Sequence, residues 1–184
     1  LALWTGDWGT ADRYARESLE MADRAEQELL RGAALYCCAL VDAHLGRVAP
    51  ARASAEEGLA IGRSKRDPWL EGICLWVLGF LDLSTGDLEA VERHLSRADE
   101  IAEVIGLVEP GQWRFHPDRI EALIQSGRLD AAEALLDRYH KRARSTRRSH
   151  ALAAEARCRG LLATARGDLV GAFRAFETSL RRYE

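Results

Sequence analysis

Apolar positions in this chain recur at helical spacing, and the pattern itself repeats. Gly6, Gly46, Gly86, Gly127 and Gly167 lie 40, 40, 41 and 40 residues apart. Two residues beyond each glycine stand Trp8, Val48, Leu88, Leu129 and Leu169, and five beyond stand Ala11, Ala51, Val91, Ala132 and Ala172. Nine beyond come Ala15, Ala55, Leu95, Leu136 and Phe176; twelve beyond come Ser18, Gly58, Ala98, Tyr139 and Ser179. These offsets trace a single stripe down a helix. Seven residues before the glycine a second series runs Ala39, Gly79, Ile120 and Gly160, and eleven before it Leu35, Leu75, His116 and Ala156.

Each glycine is therefore expected to close one helix in the left-handed conformation, where a Cβ would clash, before the next begins. The Asp after Gly6, Gly86 and Gly167 can cap that next helix. The pattern predicts a lone helix over 8–25, then pairs 26–45 with 48–63, 69–85 with 88–105, 117–126 with 129–144, and 150–166 with 169–183. Asp67-Pro68 makes a good helix start, with Asp as cap and Pro in the first turn.

Small residues on both helices of a pair let them approach closely, and these small-residue slots resemble those of tetratricopeptide repeats. Those units run about 34 residues; here each carries several more. The resemblance implies an all-α fold: a right-handed superhelical array of antiparallel helix hairpins with about 40 residues per repeat, forming one domain over residues 1–184.

The fourth unit interrupts the pattern. Glu109-Pro110-Gly111-Gln112-Trp113-Arg114-Phe115-His116-Pro117 stands where the first turns of its leading helix should be. Pro110 and Gly111 should break helix and Pro117 should restart it. The segment either protrudes as a binding loop or folds inward as a Trp-Phe plug replacing the missing turns.

Composition narrows the function. The net charge is −3 and the pI near 6.0, which speaks against a nucleic-acid surface. Apolar runs are too short to span a membrane and no secretory leader is evident, so a cytoplasmic location is expected. The chain opens on Leu1-Ala2-Leu3-Trp4-Thr5-Gly6, which reads as the end of a helix already under way and suggests a piece of a longer protein. Cys37, Cys38, Cys74 and Cys158 all fall in helical segments without metal-ligand spacing and are expected to be reduced core thiols.

His44, His94, His116, His140 and His150 share no metal-binding spacing, and no phosphate loop or nucleophile motif is present. Neither enzyme activity, cofactor nor metal is expected of this segment. Carboxylate pairs such as Glu56-Glu57 and Asp99-Glu100 are expected on helix surfaces, paired with Arg one turn away. The basic stretch from Arg138 to His150 spans a helix end, where cations complement the dipole; a phosphate-binding patch is the less favoured alternative in an acidic chain.

What remains is binding. Helical arrays usually bind on their concave side. In the tetratricopeptide register the leading helices line it, presenting Tyr36, Trp76, Pro117 and Arg157 ten residues before each glycine and Leu40, Phe80, Glu121 and Leu161 six before. Tyr36, Trp76, Glu121 and Arg157, with Trp113, Arg114 and His116 from the break, would suit a peptide, a planar ligand or a small inducer. The aromatics could equally pack between units.

Several phrases carry a more particular resemblance: Val41-Asp42-Ala43-His44-Leu45-Gly46-Arg47, the Glu109-Pro110-Gly111 break followed by Arg114-Phe115-His116-Pro117-Asp118-Arg119-Ile120-Glu121-Ala122-Leu123, and Gly127-Arg128-Leu129-Asp130-Ala131-Ala132-Glu133-Ala134-Leu135-Leu136. Together they resemble the helical-repeat region of large ATP-binding regulators of the LuxR family. The resemblance implies a sensor arm of a transcriptional regulator, between an ATP-binding switch module and a helix-turn-helix DNA-binding domain that both lie outside these residues. No direct nucleic-acid contact is implied for this segment. A generic protein-protein scaffold or self-association module is the alternative.

Overall fold

The computed structural model describes residues 2–107 and 109–183; Leu1, at the head of the expected helix end, lies outside them. A short 3-10 helix (Ala2–Thr5) precedes nine α-helices among the described residues, with no strand. They are α1 (Trp8–Arg24), α2 (Glu28–His44), α3 (Val48–Lys65), α4 (Pro68–Thr85), α5 (Leu88–Val104), α6 (Phe115–Gln125), α7 (Leu129–Thr146), α8 (Ser149–Ala165) and α9 (Leu169–Tyr183). The expected boundaries stand to within a residue or two almost throughout. None of these helices is long and apolar enough to cross a membrane.

The five repeat glycines are left-handed, with φ between 72° and 82°. Each directs its own N–H and the next back onto the last carbonyls of the helix it ends, as Gly86 N to Leu83 O and Asp87 N to Asp82 O. The aspartates that follow cap as expected: Asp7 accepts from Thr10 N, Asp87 from Ala90 N and Asp168 from Gly171 N. Asp67 caps α4 through Leu70 N, with Pro68 opening the helix.

A second left-handed position occurs twenty residues after four of the glycines, at Glu26, Arg66, Gly106 and Arg147, with φ of 52°, 55°, 69° and 52°. The chain thus reverses about every twenty residues. Only one of these four reversals carries a glycine.

Within a hairpin the stripes interlock by size. Gly79 faces Leu95, whose Cδ2 lies 2.2 Å from where a Cβ would stand, and Gly160 meets the Phe176 ring in the same way. Between hairpins, Gly58 faces Cys74 of the next unit and Gly62 approaches the Glu71 backbone. The even-numbered helices also touch one another in sequence, α2 with α4, α4 with α6 and α6 with α8. They form an inner row, and the odd-numbered helices pack against it.

The break is where structure and expectation part. α6 begins at Phe115, two residues before Pro117, with Arg114 as its cap residue. Proline is tolerated there because first-turn N–H groups have no helical partner. Trp113 and Phe115 are fully buried. The Trp113 indole lies against α4 at Gly72, where a Cβ would sit 2.0 Å from the ring. The segment folds inward: Trp113 and Phe115 complete the apolar cluster of α2–α5, while a second cluster runs from Ile120 of α6 through α7 and α8.

Candidate binding face on the inner helices

The residues expected at the site divide into two groups. Trp113, Trp76 and His116 are interior, with 1%, 4% and 5% of their surface exposed, so Trp76 lies beneath the face it was expected to line. Tyr36, Arg114, Glu121 and Arg157 lie half-buried along the inner row. There the Tyr36 and Trp76 rings are tilted against each other at 6.4 Å, and Trp4 of the 3-10 helix stacks parallel to Trp76 at 6.5 Å. The Arg114 guanidinium lies over Trp4, 3.7 Å from the ring centre. Trp4 and Tyr36 also wall a cleft of about 260 Å³ with Ala11, Tyr14, Cys37 and Leu40.

The polar part of this face comes from α6 and α8. Arg157 pairs with Glu121 at 2.8 Å. Beside them Asp118 is half-buried, and burial raises its carboxyl to about 7 despite the pull of Arg157. Near neutral pH this group therefore exchanges a proton. Nothing in the repeat register singled out Asp118, which stands one position from the expected Pro117. The signal was its place on the same helix face as Glu121, three residues on.

Arg114 differs from every other arginine in its surroundings. Most pair with a carboxylate; Arg66, Arg144, Arg147, Arg174, Arg181 and Arg182 do not, and all six are exposed. Arg114 is partly buried and makes no ion pair among the described residues; its Nε donates to the Gly111 carbonyl at 3.5 Å. Burial lowers its pKa, and the acidic groups acting on it are the phenols of Tyr139, Tyr183 and Tyr36.

Sequence reasoning missed a set of buried carboxylates between units. Asp42 accepts from Arg16 of the preceding unit at 2.6 Å and from Arg47 at 3.1 Å. Asp82 takes Arg52 and His94, each at 2.6 Å. Asp99 was expected on the surface with an arginine one turn away. Instead it is buried, and its partners are Arg119 of α6 at 2.8 Å, Arg138 of α7 at 2.7 Å and His116 at 3.3 Å. Glu155 bonds His140 at 3.1 Å and Arg159 at 2.6 Å. Helix-surface spacing could not reveal these, because each carboxylate faces a neighbouring hairpin. The basic stretch is used likewise, with Arg138 on Asp99 and Arg148 on Glu109.

The cysteines are free; Cys38, Cys74 and Cys158 are buried, whereas Cys37, expected in the core, is exposed, and burial pushes the Cys74 and Cys158 thiols up to about 12. No group of three metal-ligating side chains occurs among the described residues. Set against protein-family models and curated proteins, the chain matches none.

Proposed function

We propose that this chain is a sensor or interaction module whose inner helix face receives a small inducer or a peptide. On this reading it is a tetratricopeptide-like superhelix that passes occupancy of the face to a switch domain in a LuxR-type transcriptional regulator. It does no chemistry of its own and needs no cofactor. The observation that carries the reading is the composition of the inner face. Tyr36 and Trp4, backed by the buried Trp76, supply flat apolar surface, while Arg114, Asp118, Glu121 and Arg157 place polar groups beside it. Apolar walls with a few convergent polar groups are what small-ligand sites require.

Coupling has a physical basis in the ion-paired contacts between hairpins. Contacts built on discrete charge pairs can exchange partners, so a ligand preferring one arrangement shifts the whole array. The test is a thermal-shift screen of small molecules and peptides, with Tyr36→Ala as control, together with the reading frame on either side. A ligand whose shift disappears in Tyr36→Ala, and a helix-turn-helix reader beyond Glu184, are the expected results. If nothing shifts the unfolding temperature and no such reader is encoded, the reading fails.

One observation favours the scaffold alternative. α9 exposes Leu169, Val170, Phe173, Leu180 and Tyr183. At the position of Phe173 the other odd-numbered helices carry Asp12, Arg52, Glu92 and Glu133. Self-association through α9 would appear as a concentration-dependent mass in sedimentation, abolished by Phe173→Glu.

A further inference from the structure

Resting on the reading of the inner face as a ligand site, we infer that Arg114 is its anion receptor, and that the ligand carries a carboxylate on a short link from a flat ring. The geometry argues for it in three steps. A guanidinium withdrawn from water without a carboxylate is costly, and proteins ordinarily pair such a group. Every other partly buried arginine among the described residues is so paired. Arg114 instead rests on the Trp4 ring and one backbone carbonyl, which leaves much of its planar donor set unmatched.

The anion should be a single carboxylate. A guanidinium presents parallel N–H groups that match the two oxygens of a carboxylate. The neighbouring cations Arg157 and Arg148 are already engaged by Glu121 and Glu109, so a dianionic phosphate would find one receptor only. The ring follows from the surroundings: Trp4 and Tyr36, backed by the buried Trp76, form the adjoining surface.

Such a ligand has two sources, a free aryl-substituted acid or the C-terminal aromatic residue of a peptide. Calorimetric titration of the full chain distinguishes them, using 3-phenylpropionate and a pentapeptide ending in Phe. The neutral controls are 3-phenylpropanol and the same peptide amidated. At least one acid should bind tenfold or more tightly than its neutral partner, the scale of a charge-assisted bidentate contact. Arg114→Gln should remove that preference while raising the unfolding temperature, since an unpaired buried cation is lost. Arg114→Lys should keep part of it. A cation serving only the fold would give the opposite thermal result, with Arg114→Gln melting earlier. Equal binding of acid and neutral partner would overturn the anion assignment and leave the ring-binding face standing. Absence of binding by all four probes would overturn both.

Discussion

Single positions decide more of this fold than their exposure suggests. Arg147 and Arg66 sit at inter-unit reversals with φ above 50°, a conformation that costs a residue with a Cβ about 1 kcal/mol. Arg147→Gly should therefore stabilise the chain, by about 0.5 kcal/mol once the greater freedom of glycine in the unfolded state is deducted. Chemical denaturation of the two proteins side by side measures it; a loss of stability would mean the Arg147 side chain is needed. Gly72 tests the reverse. A methyl there meets the Trp113 ring, and that indole is fully enclosed, so Gly72→Ala should cost about 1–3 kcal/mol by overpacking. Asp118 supplies a prediction in pH. Its folded pKa of about 7 lies above the ordinary 3.8. Between those values the unfolded chain releases a proton that the folded chain keeps, so stability falls as pH rises through the window. Asp118→Asn should leave the unfolding temperature nearly unchanged at pH 4 and raise it at pH 8. The ceiling is about 4 kcal/mol, reduced by whatever solvent reaches the carboxyl. Equal shifts at both pH values would show that the carboxyl does not change charge there.

At the scale of helices, the glycine register made most of the architecture legible, and the reason is steric. The left-handed turn at Gly86 and the close approach at Gly79 each exclude a Cβ, so the residue type records the geometry directly. The reversals at Glu26, Arg66 and Arg147 left no such record, because a single left-handed residue can be strained rather than glycine. The break at 109–117 was legible as an interruption but not in its direction. Pro110 and Gly111 say only that helix stops; whether Trp113 points inward depends on the space over Gly72, forty-one positions earlier. The same limit hid Trp4, whose ring lies on Trp76 across four turns of the chain, and with it the setting of Arg114. Of the binding face, Tyr36, Trp76, Glu121 and Arg157 follow from periodicity, since all lie on the inner row. His116 and Trp113 share its sequence neighbourhood but are drawn into the interior by the plug.

For the whole molecule, the contacts between hairpins set how the array responds to its surroundings. The network around Asp99 joins α5, α6 and α7 at the point where the two apolar clusters meet. Burial alone would raise the Asp99 pKa, but His116, Arg138 and Arg119 overcome it and hold the carboxyl at about 2. Since that value lies below the ordinary 3.8, the contribution to stability is complete above about pH 4 and is lost as the pH falls toward 2. His116 acts in the same direction. Burial lowers its pKa below 6.5 against the opposing pull of Asp99, so the unfolded chain takes up a proton first and acid favours unfolding. Asp99→Asn should take away the carboxylate that Arg119, Arg138 and His116 share, while Glu92 still holds Arg119 and Glu103 still holds Arg138; the cost should be about 1–3 kcal/mol at neutral pH, below that of stripping a buried cation of its only partner. The loss should shrink as acid protonates Asp99 in the parent protein. A junction of this kind also predicts where cooperativity yields. Because neighbours in a helical array stabilise each other pairwise, weakening one interface allows the two sides to unfold separately. In Asp99→Asn, hydrogen exchange should rise across α6 and α7 before it rises in α4, whose apolar cluster lies on the other side of the junction. A single, uniform loss of protection from α2 to α8 would mean instead that the shared helix α6 welds both clusters into one folding unit, with Asp99 only one contact among many.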